Sequence, residues 1–143
     1  MPDRGAIYFV VINIGHGTEG TMETITSMLE KILDDLQAVG GVELCAIVSK
    51  QGLLMVSREA SDGLDSEAFA ALTATLFMSA ESTTMRLSGQ KPRSIIVETK
   101  DKQLITYEAG PDALIIVHVG NQGYIGLILN ELKKAAEKVR NIL

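Results

Sequence analysis

From Met22 to Val39, apolar side chains fall at Met22, Ile25, Leu29, Ile32, Leu36 and Val39, in steps of three and four. That spacing draws one apolar stripe along an α-helix and leaves Glu23, Glu30, Lys31, Asp34 and Asp35 on the wet side. The pair Gly40-Gly41 ends the pattern. Two short runs rich in strand formers follow, "VELCAIVS" (42–49) and "LLMVSR" (53–58). The link "KQG" between them carries Gly52, which suits a hairpin turn at positive φ, so the two strands are antiparallel neighbours. Asp65 or Ser66 then caps a second helix, with Glu67 in its first turn, running from Ser66 to Leu87 and stopped by Ser88-Gly89. "SIIVET" (94–99) and "QLITYEA" (103–109) flank the polar turn "KDK" as a second hairpin. "DALIIVHVG" (112–120) is the most continuous apolar strand and is expected at the centre of the sheet. Beyond "GNQG", a last helix carries Ile125, Ile128, Leu132, Ala135 or Ala136, Val139 and Leu143 on one face. The order helix-strand-strand-helix-strand-strand-strand-helix predicts an α+β fold, an α/β/α sandwich around a five-stranded antiparallel sheet.

The second helix departs from ordinary amphipathicity. One stripe runs Phe69, Leu72, Leu76, Ser79 or Ala80, Thr83, Leu87, and another runs Ala70, Thr73, Phe77, Ala80, Thr84. Both are apolar or small, and Glu81 is the only charge between Ala68 and Met85. A helix wet on one side carries more charge than this, so burial on two sides is expected, against the sheet and against a partner.

Composition narrows the function classes. Apolar residues make up 46% of the 143-residue chain but aromatic ones only 4%, so the core is aliphatic. An aliphatic excess on one small domain favours an oligomer. Thirteen Lys and Arg against 18 Asp and Glu give a net charge of −5, which argues against a nucleic-acid-binding surface. Lys133, Lys134, Lys138 and Arg140 on the last helix, offset by Glu131 and Glu137, read as a solvated face. The apolar run from Ala6 to Ile12 is too short to span a bilayer and lacks a convincing signal-cleavage pattern, so the protein is read as cytoplasmic.

Candidate chemistry is sparse. Gly15-x-Gly17-x-x-Gly20 follows an apolar run and precedes a helix, as in a dinucleotide-binding loop. The acid expected at the end of the next strand is missing, where Ser49-Lys50 stands, and that strand turns back as a hairpin. Residues 1–21 are therefore read as a tail or extra edge strand, and residues 22–143 as the domain. His16 and His118 lie far apart in sequence and Cys45 is the only cysteine, so no metal set is expected. A Cys45–His118 nucleophilic pair on adjacent strands lacks any group to lower the thiol pKa. The hydroxyls of Thr73, Thr75, Ser79, Ser82, Thr83 and Thr84 fit no nucleophile elbow, and no phosphate-binding Walker loop is present. The expectation is no enzyme and no cofactor.

Four stretches carry a family resemblance: "MLEKILDDLQAVGGVELCAIVSKQGLLMVS", "DSEAFAALTATLFMSAESTTMRL", "GQKPRSIIVETKDKQLITYEAGPDALIIVHVG" and "GLILNELKKAAEKVRNIL". In order and turn chemistry the chain resembles the roadblock family, the dynein light chain and small-GTPase-regulator group, over about residues 22–143. The resemblance implies a profilin-like roadblock fold and a non-catalytic homodimer, or a heterodimer with a similar chain, that binds and regulates or scaffolds a small Ras-like GTPase. It also implies that second helices pack together and third strands pair. On that footing Phe69, Leu72 and Leu76 would face the home sheet. Ala70, Thr73, Phe77, Ala80 and Thr84 would face the partner, with Ser94, Ile95, Ile96 and Val97 pairing edge to edge. Arg86 and Arg93 are the candidate GTPase-facing cations, with surface solvation or an interface ion pair as the simpler reading of either. Ser49 departs from the family, where many relatives carry an acid at the first turn. A small-molecule-sensing domain of profilin-like or PAS-like architecture is the alternative.

Overall fold

Side chains alternating across the strands give the sheet two apolar faces. The structure, a computed structural model, describes residues 19–59, 65–121 and 123–143, with side chains from Thr24 onward. Its elements are α1 (Glu19–Gln37), β1 (Val42–Ser49), β2 (Leu54–Glu59), α2 (Ser66–Ser88), β3 (Ser94–Glu98), β4 (Gln103–Glu108), β5 (Ala113–Val119) and α3 (Ile125–Ile142). The five strands pair antiparallel in the order β2-β1-β5-β4-β3, so the "ALIIVHV" strand is central, as its unbroken apolar run predicts.

One face of the sheet presents Cys45, Ile47, Ile105, Ile115 and Val117 to α1 and α3, which cover it with Leu29, Leu33, Leu36, Ile128, Leu132 and Val139. The other presents Ala46, Val48, Leu114 and Ile116 to α2. The result is the expected three-layer α/β/α sandwich. Its boundaries differ from the sequence expectation mainly at α1, which is already helical at Glu19 and ends at Gln37. Gly20 therefore lies inside a helix, while Gly15 and Gly17 fall outside the described residues, as does most of the 1–21 segment.

Local chemistry explains the joints. In the β1–β2 turn, Gly52 has φ +95°, a conformation that costs a side-chain-bearing residue strain. Ser49 is fully buried, and its Oγ accepts the Leu53 N–H at 3.0 Å. The hydroxyl thus completes the turn by a short-range side-chain cap. Thr99 does the same for the β3–β4 turn, accepting the Lys102 N–H at 3.2 Å. Arg58 on β2 reaches α1 with its Nε 3.0 Å from Asp34 and its Nη2 3.2 Å from Glu30. Partial burial opposes its charge, but the hydrogen bonds to Asp34 and Glu30 outweigh this and raise its pKa above the ordinary value.

Candidate interaction surface

The second helix is built to stand on its own ends. Asp65 Oδ1 accepts the Ala68 N–H at 3.1 Å, Glu67 sits in the first turn, and Gly89 closes the helix in the left-handed conformation at φ 67°. Its buried residues are Ser66, Ala70, Thr73, Ala74 and Phe77, all in the first half. Small side chains there let the β1–β2 turn come close: a Cβ on Gly52 would lie 3.2 Å from the Ala71 Cα. Phe77, 1% exposed, fills the space between the helix and Ala46, Val48, Leu114 and Ile116. Ser66 Oγ also donates to the Glu59 carboxylate, tying the helix start to the end of β2.

The two faces of α2 are exchanged relative to the sequence expectation. Ala70, Thr73 and Phe77, expected to face a partner, lie against the home sheet, and Leu72 and Leu76, expected inside, point away at 68% and 39% exposure. A physical reason is the close approach of the β1–β2 turn to the start of the helix, where the small Ala70, Ala71 and Ala74 leave room for it and Phe77 fills the wider space further along. The outward stripe continues at helical spacing through Leu72, Leu76, Ala80, Thr83 and Leu87, the last 81% exposed, and Met78 and Met85 flank the opposite side. Past Phe77 no residue of α2 is buried. The hydroxyls of Thr75, Thr83 and Ser88 donate to carbonyls four residues back along the helix and Thr84 to one three back, so their hydrogen-bonding capacity is partly spent within α2.

The strand that follows sits at the rim. Ser94, Ile95, Ile96 and Val97 belong to β3, which pairs with β4 on one side and is the last strand of the sheet on the other. Ile95 packs partly against the α2-side core, while Ile96 and Val97 are exposed. An edge strand with free N–H and C=O groups and exposed β-branched side chains is a template for another strand.

The profile of the Roadblock/LC7 domain matches residues 28–118. The chain belongs to the Roadblock/LC7 family. It is similar to the uncharacterized protein MJ0714 of Methanocaldococcus jannaschii, with 25% identity over 116 residues, 81% of this chain and 97% of that protein. Among solved structures, MglB in a tetrameric arrangement superposes with a TM-score of 0.78 at 17% identity, covering 82% of this chain and 89% of MglB. Profilin II of Acanthamoeba castellanii gives a TM-score of 0.58 at 20% identity over 77% of this chain and 94% of the profilin. The profilin-like α+β roadblock fold read from the sequence is thus the observed one.

The remaining candidate residues of this Roadblock/LC7 chain are dispersed. Arg86 is exposed in the last turn of α2, whereas Arg93 lines a cleft against α3, so the two do not form one site. The β1–β5 register pairs Leu44 with His118 and Cys45 with Val117, which puts Cys45 and His118 on opposite faces of the sheet. His118 Nδ1 instead lies 3.4 Å from the Glu43 carboxylate. Burial pushes the Cys45 thiol up to about 12, against a smaller lowering by Arg58, so it is held as a neutral thiol. Among the described residues no group of His, Cys, Asp and Glu converges on a metal position, and no helix is long and apolar enough to cross a membrane. A ligand-sensing reading calls for an open apolar pocket beside the sheet, but Ile105, Leu114, Ile115 and Ile116 are fully covered by packed side chains.

Sequence reasoning missed Met78 and Met85 as exposed apolar groups. It also read Lys133 and Arg140 as ordinary solvated cations, without the loop residues Lys91 and Arg93 beside them. The helical spacing of Met78 and Met85 was visible, but nothing local said which side of α2 the sheet would occupy.

Proposed function

We propose that this Roadblock/LC7 chain is a non-catalytic, cytoplasmic dimeric interaction module that binds and regulates, or scaffolds, a small Ras-like GTPase. The carrying observation is α2 itself: its buried residues stop at Phe77, and Leu72, Leu76, Met78, Met85 and Leu87 are left exposed on a helix that leads directly into the edge strand β3. Two copies would join through the outward stripe of Leu72, Leu76, Ala80, Thr83 and Leu87 and through Ser94–Val97 of β3. Thr84 is half-covered and stays at the margin of that joint, whereas Ala70, Thr73 and Phe77 serve the home core. The oligomeric MglB structure of the same fold supports assembly of this kind. The joined helices would form a surface on which a GTPase is held, acting by positioning its switch loops, with Arg86 available as a contact.

Light scattering on purified protein, with pull-down of nucleotide-loaded small GTPases from the same cell, tests the reading. Wild type is expected to be dimeric and to retain a GTPase, and Leu76→Asp to shift the mass to a monomer. A monomeric wild type refutes the dimer. Unchanged hydrolysis and exchange rates for every co-occurring small GTPase, with none retained, refute the regulator.

A further inference from the structure

A second surface lies on the other side of the sheet. The pairing of Ser94 with Tyr107 sets the 89–93 loop beside the end of β4, and α3 packs over the same corner. Lys91, Pro92, Arg93, Tyr107, Glu108, Lys133, Ala136, Glu137 and Arg140 enclose a cleft of about 380 Å³ there. Four cations thus converge from a loop and a helix on a chain whose net charge is −5, so their grouping is not a reflection of composition. The two carboxylates of the lining are already engaged: Glu108 with Lys50 at 2.8 Å and Glu137 with Arg140 at 2.9 Å. Lys91, Arg93 and Lys133 have no ion-pair partner among the described residues.

The walls of the cleft are tied together. The Arg93 carbonyl accepts the Glu108 N–H at 3.0 Å, fixing the loop to the strand. The Arg140 stem lies against Gly110, where an added Cβ would stand 3.4 Å from the Arg140 Cγ. Pro92 and Tyr107, both half-buried, supply apolar surface among the charges. Unpaired cations grouped around a cleft make charge-assisted hydrogen bonds to carboxylates without first giving up an existing ion pair.

We propose that this cleft docks an acidic segment of a protein partner, carboxylate side chains pairing with Lys91, Arg93 and Lys133 and intervening apolar ones resting on Pro92 and Tyr107. The charge layout selects this occupant. A lipid surface needs a flat basic face, but Lys134 pairs with Glu131 and Lys138 lines a different groove, with Met28, Ile32 and Ile142. A nucleic-acid backbone needs a continuous run of cations, which Glu108 and Glu137 interrupt. The cleft is formed within one chain and on the face opposite α2, so the inference stands apart from the dimer reading.

The test uses the full chain and a short fluorescein-labelled peptide of Asp, Glu and Leu, with its Lys-for-acid counterpart as control, read by anisotropy. Wild type is expected to bind the acidic peptide only, and more weakly as salt rises. Arg93→Glu with Lys133→Glu is expected to lower affinity about tenfold or more, a loss of about 1.4 kcal/mol or more. Lys134→Glu with Lys138→Glu makes the same change in net charge and is expected to lower it less than about threefold. Leu76→Asp is expected to keep peptide affinity, which separates this site from the proposed joint. Arg93→Gln with Lys133→Gln carries the comparison if the charge reversals fail to fold. Equal losses from the two double variants, no binding by wild type, or displacement by inorganic phosphate equimolar with the peptide would each overturn the proposal.

Discussion

Cys45 shows how completely one residue's chemistry is set by its surroundings. It is fully buried on β1, and its Sγ–H donates to the Leu33 carbonyl of α1 at 3.6 Å. Burial lifts its pKa from 9.0 to about 12. Between those values the unfolded chain gives up the thiol proton and the folded chain keeps it. The stabilisation is therefore full below pH 9 and is lost as pH climbs toward about 12. In urea titrations the wild-type midpoint is expected to fall more steeply above pH 9 than that of Cys45→Ala, which lacks the group. Parallel curves for the two proteins would contradict this account. Ser49 makes a related point, because its buried hydroxyl does in the β1–β2 turn what a short acid would do by the same kind of bond.

At the scale of elements, α2 carries the main structural lesson. Its ends were legible, since Asp65, Glu67 and Gly89 act locally on backbone groups within a turn of themselves. Its orientation was not, because both stripes are apolar and the choice depends on what the sheet presents. Phe77→Ala is expected to cost about 3–5 kcal/mol of folding stability, as befits a large core aromatic. Leu72→Ala is expected to stay within about 0.5 kcal/mol, measured by chemical denaturation at high dilution where association does not contribute. The reverse ranking would restore the orientation expected from sequence. Strand β3 differs from α2 in this respect: it stands at the edge of the sheet with Ile96 and Val97 exposed, compatible with the edge pairing that the family resemblance implies.

The whole molecule has one well-filled core on each face of the sheet and a surplus of apolar surface along α2 and β3. If that surplus is shared between copies, folding and association are linked, and the melting temperature is expected to rise with protein concentration. Calorimetry over a hundredfold dilution series checks this, and a melting temperature independent of concentration counts against the joint. Charge is also organised at this scale. The chain is acidic overall, yet Lys91, Arg93, Lys133 and Arg140 gather at one corner because the α2–β3 loop and α3 meet there.

The order of elements, the two hairpins, the central strand and the caps of α2 were determined by the sequence alone. Each depends on interactions a few residues long: apolar spacing, a glycine at positive φ, a side chain capping a nearby amide. Only the tertiary structure decided which stripe of α2 meets the sheet, that Cys45 and His118 lie on opposite faces, and that four distant cations line one cleft. Those outcomes depend on surfaces brought together from remote parts of the chain. The steric room beside Gly52 and the meeting of the 89–93 loop with α3 exist only once the layers have packed.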